Sequence, residues 1–309
     1  MAQEKTGVRI AAFPKCYLDA MLHHKSMTLF SWIDIAARLP IEGVETYYPT
    51  LEVEGSPPAL KYLQDLKSRL DDANLEMPMM CFSPDFTQRN AASREREIER
   101  QKRAIEATQV LGGRFCRVLS GQRRPDVSRV EGISWTIECI HKLLPFAKDH
   151  SVTLTLENHY KDPLWLFPEF AQPRDIFLEI VSSIDDPNFG VNYDPSNALI
   201  AGDDPLQVLE DVLPRVVTMH ASDRALEGGT AEDLRKIDAD PLHGYASMVQ
   251  HGVIGRGLID YDGIFQKLKS ASFAGWISIE DGPDPEVGEE HLRESAEFLL
   301  RKSREHGLR

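Results

Sequence analysis

The chain is poor in cysteine: Cys16, Cys81, Cys116 and Cys139 are its only thiols in 309 residues, and no two form a CxxC pair. That spacing excludes a disulfide framework and argues against a structural zinc site, and the apolar runs around Cys81 and Cys116 point to buried free thiols. No apolar run approaches the roughly 18 residues a membrane-spanning helix needs, so no membrane partner is expected. The first residues, MAQEKTGVRIAAF, carry none of the charged-then-apolar pattern of a secretory leader, and a cytoplasmic protein is expected. Basic charge is scarce: the formal net charge is −14. The run Arg94 to Arg103 (REREIERQKR) alternates signs as a solvated helix face does, so no nucleic-acid partner is expected. No GxGxxG follows an apolar run, which removes the common dinucleotide-binding turn.

What the chain does have is alternation. The strand-like segments VRIAAF, GVETYY, MPMMCF, RFCRVL, VTLTLE, FGVNYD, VVTMHA and GWISIE are each followed by a segment of helical period, the longest from about Ala92 to Leu111 and closed by Gly112-Gly113. Strand followed by helix implies parallel strands with helical crossovers. Eight such repeats in about 300 residues predict an α/β fold of the closed (β/α)8 TIM-barrel type. No linker or shift in composition divides residues 1–309, so a single domain is expected. Two loops are long: NHYKDPLWLFPEFAQP after the fifth strand, with Trp165, Leu166 and Phe167 in a row, and Ser222 to Asp260 after the seventh. Both belong to the C-terminal face of a barrel, where sites are built.

Parity says which side chains share a face. Thr153, Thr155, Glu157 and His159 oppose Val152, Leu154 and Leu156 in the fifth strand. Asn192 and Asp194 oppose Val191 and Tyr193 in the sixth. Thr218, His220 and Ser222 oppose Val217, Met219 and Ala221 in the seventh, and Ser278 and Glu280 oppose Ile277 and Ile279 in the eighth. The apolar parity suits the helix-packed exterior, so the polar parity faces the barrel axis. Four consecutive strands thus end on Glu157, Asp194, His220 and Glu280. Three carboxylates converging without a cation would repel, and a divalent metal relieves that. One nitrogen with several carboxylate oxygens suits Mn²⁺ first, with Mg²⁺ or Co²⁺ as alternatives.

These residues resemble a known family. LENHY, NYDPSN, VVTMHASD, GVIGRGLIDYDGIF and WISIEDG look like successive strand ends of the xylose isomerase-like TIM barrels, and GVETYY is similar to their second strand. The resemblance spans nearly the whole chain. That superfamily includes sugar and sugar-phosphate isomerases and epimerases, inosose and dehydroshikimate dehydratases, and endonuclease IV. In its epimerase branch Glu, Asp, His and Glu hold the metal, which implies the same four residues here, with Glu157 and Glu280 also moving protons beside a carbonyl. Asn197 stands where those enzymes often carry a histidine, CFSPDF replaces a histidine-rich strand end, and the loop after the seventh strand is longer. ENHYKD, the aromatic lid and MHASDR look more like a branch that includes the α subunits of C-glycoside deglycosidases, which act on 3-oxo-glucosides and pair with a small subunit.

The expected chemistry is proton abstraction next to a carbonyl, with a metal-stabilised enediolate that leads to an isomer, an epimer or, by loss of a β-substituent, a lyase or dehydratase product. His159, two residues past Glu157, is the candidate extra acid or base. Glu45, Asn197, Asp223 and Arg224 are the candidate substrate-binding residues; Glu45 has the orienting of another ligand as its alternative role, and Asp223 and Arg224 have the fixing of a metal ligand or a simple loop salt bridge as theirs. His243 and His251 are expected to be solvent-exposed, and Arg123-Arg124 either bind phosphate or lie on plain surface. The partner expected is a small carbohydrate, in a homo-oligomer or a hetero-oligomer with a small subunit. A phosphodiester nuclease, which needs a three-metal cluster and a basic groove, and a non-catalytic scaffold barrel are the rival classes.

Overall fold

All eight expected strands are present in the computed structural model, the second of them in two pieces. The structure describes residues 7–230, 248–280, 282 and 284–309. Its strands are β1 (Arg9–Ala12), β2 (Gly43–Val44), β3 (Thr46–Tyr47), β4 (Met79–Cys81), β5 (Phe115–Val118), β6 (Thr153–Glu157), β7 (Phe189–Tyr193), β8 (Val216–Ala221), β9 (Asp223–Leu226), β10 (Val249–Gly252) and β11 (Trp276–Ile279). Nine of these form one sheet in the order β2-β1-β11-β8-β7-β6-β5-β4-β3, every pairing parallel. β2 and β3 are consecutive pieces of segment 43–47, so the two ends of that order meet at Glu45 and the sheet closes. The result is an eight-stranded α/β barrel.

Parallel neighbours require long crossovers, and helices supply them. Arg129–Asp149 opens with a capping box in which Ser128 and Glu131 satisfy each other's backbone amides. Ala91–Val110 is capped by Leu111 just before Gly112, whose φ of +84° ends the helical path. Parity behaves as expected. Val152, Leu154, Leu156, Val191, Tyr193, Met219, Ala221, Ile277 and Ile279 all join the large core between sheet and helices. Inside the barrel, Phe13, Leu18, Tyr47, Met79 and Cys81 make a smaller apolar plug. The polar strand ends lie beyond that plug. All four cysteines are buried and free, and no helix among the described residues is long and apolar enough to cross a membrane.

The loop after β6 is pinned along its length. Glu169 N donates to Tyr160 O at 2.7 Å and Phe170 N to Gly121 O at 2.7 Å. Leu166 N and Phe167 N both donate to the Gln122 side chain. Gly132 makes room for Phe170, since a Cβ there would stand 2.2 Å from the ring. Trp165 is buried in this lid while Leu164 and Leu166 are exposed. The long segment after β8, read from the sequence as irregular, begins and ends in an antiparallel hairpin of β9 and β10. His243 lies outside the described residues.

Candidate metal and substrate site

Glu157 is the last residue of β6, Asp194 follows β7 as the N-cap of helix Pro195–Ile200, His220 sits in β8, and Glu280 follows β11. Because β6, β7, β8 and β11 are neighbours in the barrel, these four side chains converge at one mouth. All four are buried, and one donor atom from each lies within 4.8 Å of the others. His220 organises the group. Its Nδ1 faces Glu280 Oε2 at 2.7 Å and Glu157 Oε1 at 3.2 Å, while its Nε2 donates to Glu45 Oε2 at 2.8 Å. Glu45 in turn accepts from Ser278 Oγ.

Two further cations touch the group. Arg117, from β5, donates to Glu157 Oε2 at 2.7 Å and to Ser83 Oγ at 3.0 Å. Lys15, just after β1, donates to Glu280 Oε1 at 3.0 Å. Burial favours the neutral form of Glu157, but His220 and Arg117 outweigh it and hold the carboxylate down to about 2. Glu280 is likewise held well below the usual carboxylate range, because Lys15 and His220 overcome its burial. Asp194 goes the other way. Burial, then the charges of Glu157 and Glu280, push it up to about 6, although Ser222 Oγ and Asn197 N both donate to its Oδ1.

A divalent ion fits this set. Trans donors around an ion bound at about 2.1 Å stand roughly 4.2 Å apart, so donor atoms already within 4.8 Å need only small side-chain movements. The Nδ1 of His220 points into the carboxylates while Glu45 holds its Nε2, which is the usual arrangement for a ligating imidazole. The carboxylate that resists ionising, Asp194, is the one a cation would bring fully into the anionic form. Cys81 Sγ also approaches Glu45 and His220, but burial pushes that thiol up to about 12, away from thiolate character.

The other predicted residues divide. Glu45 is fully buried, with Oε2 on His220 Nε2. Asn197 donates its Nδ2 to Glu157 Oε1 at 3.2 Å, and its buried Oδ1 has no partner among the described residues. Asp223 bonds to backbone of its own loop. Its oxygens accept from the amides of Arg224, Gly255, Gly257 and Ile259 at 2.9–3.1 Å, so it anchors the loop, and Gly257 allows that approach, since a Cβ there would stand 2.2 Å from Asp223 Oδ1. Arg224 is buried, with its guanidinium 5.5 Å from the Tyr160 ring centre and its Nε on Ser196 Oγ. His159 is buried and stacked on Tyr160 at 5.3 Å, its Nδ1 3.9 Å from Glu169 Oε2. Burial lowers His159 to about 4 and lifts Glu169 to about 8.

His251 is not the exposed histidine expected. It is half-buried on β10 opposite Arg224, and burial lowers it to about 2. Arg124 pairs with Asp85 and Arg123 donates to Gln172, which ties both arginines into protein contacts. Lys15, Arg117 and Glu169 were missed from sequence. Arg117 had a signal, because it shares inward parity with Phe115 in an otherwise apolar strand.

Comparison with known proteins agrees with the geometry. Residues 33–302 match the profile of the family described as xylose isomerase-like TIM barrel. The chain is 26% identical to the 3-oxo-isoapionate decarboxylase of Pectobacterium atrosepticum, over 54% of this chain and 51% of that enzyme, about half its length. It is 23% identical to an inosose dehydratase of Clostridium beijerinckii, over 81% of this chain and 85% of that one. The solved structure of an L-ribulose 3-epimerase superposes with a TM-score of 0.74 at 15% identity, covering 97% of this chain and 95% of that one, a likeness of fold alone.

Proposed function

The chain belongs to the xylose isomerase-like TIM barrel family, and from that premise we propose that it is a divalent-metal-dependent enzyme of carbohydrate metabolism, acting in the cytoplasm by proton abstraction next to a carbonyl. The observation that carries this reading is the convergence of Glu157, Asp194, His220 and Glu280. Mn²⁺, or else Mg²⁺ or Co²⁺, bound there supplies Lewis acidity to the substrate oxygens beside the reacting carbon.

The chain's own residues do the rest. Glu157 and Glu280 are ionised at neutral pH by the cations around them, so either carboxylate can take the proton from the carbon next to the carbonyl and, once protonated, return it. His159, neutral because burial lowers it, accepts or donates a proton at the same substrate face. Asn197 offers its unpartnered Oδ1 to a substrate hydroxyl. Arg224 holds the polar end of the substrate beside Tyr160. The lid carrying Trp165 excludes water from the enediolate.

Reprotonation on the neighbouring carbon gives isomerisation, and on the opposite face epimerisation. Loss of a β-substituent from the enediolate is the second reading, supported by the similarity to an inosose dehydratase. It includes dehydration and the cleavage of a 3-oxo-glycoside. The test is deuterium incorporation. The Mn²⁺-loaded chain is incubated in deuterated buffer with a panel of ketoses, inososes and 3-oxo-glucosides, and the protons beside each carbonyl are followed by NMR. Exchange in at least one compound, lost in Glu157→Gln, is expected; a panel with no exchange contradicts the reading.

A further inference from the structure

The two cations that touch the ligand set differ in what else they meet. Arg117 is sealed, 3% exposed, with one nitrogen on Glu157 and another on Ser83. Lys15 is 20% exposed. Its ammonium donates to Glu280 and lines a cavity of 420 Å³ whose walls include Leu18, Leu22, Tyr160 and Asp162. That volume is within the range of small-molecule sites. Leu18 and Leu22 belong to the short helix that begins three residues after Lys15, so the end of β1 sets both the cation and the apolar wall beside it. The centre of the Tyr160 ring is 5.8 Å from the Lys15 ammonium and 5.3 Å from the stacked imidazole of His159.

We propose that Lys15 is a substrate-binding residue of this site, whose ammonium donates to a substrate oxygen that becomes negative as the enediolate forms. The proposal rests on the enediolate reading and adds to it the group that meets the charge from the cavity side. An ammonium has three N–H donors, and Glu280 is its one hydrogen-bond partner among the described residues. A fixed cation beside developing charge, in a site shielded from water, stabilises the charged form over the neutral one. No proton needs to leave Lys15: Glu157 or Glu280 takes the carbon-bound proton, and the ammonium keeps its own. Arg117 holds Glu157 in the same charge state without reaching the cavity, which is why only one of the two cations is assigned to substrate.

The test uses two closely related probes, a four-carbon sugar hydroxamate, which can bind as its anion, and the matching sugar amide, which stays neutral. The hydroxamate mimics the enediolate anion and the amide does not. Binding of each to the Mn²⁺-loaded full chain is measured by calorimetry, with Mn²⁺ content checked in every variant. Lys15→Met should weaken the hydroxamate about tenfold or more and the amide less than about threefold, with metal content unchanged, and Lys15→Arg should recover most of the loss. Equal effects on the two probes, or none, would overturn the role of Lys15 while leaving the enediolate reading in place. A metal-loaded wild-type chain that binds neither probe would overturn both together.

Discussion

Glu45 holds His220 from beneath, oxygen to Nε2 at 2.8 Å, and so turns the other imidazole nitrogen toward Glu157 and Glu280. This pair joins the break in the second strand to the C-terminal end of β8, across the barrel interior. It makes the orientation of a ligand depend on barrel closure.

Glu45→Gln keeps the size of the side chain and removes the charge that favours a proton on Nε2. Affinity for Mn²⁺ should fall about 10- to 100-fold, the range seen when such supporting groups are lost. Titration of the metal-free chain measures it. An unchanged affinity would mean that the Glu45–His220 contact does not orient a ligand.

Asp223 makes the opposite prediction. Its carboxylate gathers four backbone amides from the turn at Arg224 and the loop 255–259. Asp223→Ala strands those donors and should lower stability by about 2–4 kcal/mol in denaturant unfolding. Mn²⁺ affinity of the folded fraction should stay within about threefold of wild type. A lost affinity with unchanged stability would return Asp223 to the site.

Glu169 carries a pH signature. Burial lifts it from 4.5 to about 8, against the bonds from Ser120 N and Oγ. Between those values the folded chain keeps a proton that the unfolded chain releases, so this group's contribution to stability declines as pH rises through that window. Glu169→Gln keeps an acceptor for Ser120 and has no such slope. The variant should therefore gain on wild type between about pH 5 and about pH 8, by roughly 3–4 kcal/mol. A stability difference that is flat over that range would contradict the raised carboxyl.

How much of this was legible beforehand depends on whether a residue obeys a period. Glu157, Asp194, His220 and Glu280 each continue the polar parity of a strand, and strand order in a barrel follows chain order, so their convergence could be read directly. Arg117 obeys the same rule, but an arginine in an apolar run is easily taken for an edge residue. Lys15 follows its strand by three positions, where parity no longer applies. The partners of Glu45 and Glu169 depend on closure and on a 16-residue loop folding back, from 158 to 173. Asp223 bonds to the neighbouring amide of Arg224, yet its other three partners are 32 to 36 residues away.

The most direct test of the account is metal stoichiometry. The purified chain is reconstituted with Mn²⁺, dialysed, and analysed for metal beside Glu280→Gln and Asp194→Asn. The account predicts about one ion per wild-type chain and a marked loss in both variants, with metal binding in wild type weakening as pH falls below about 6, where Asp194 takes up its proton. A wild-type chain that retains no Mn²⁺, Mg²⁺ or Co²⁺ under any reconstitution would contradict it.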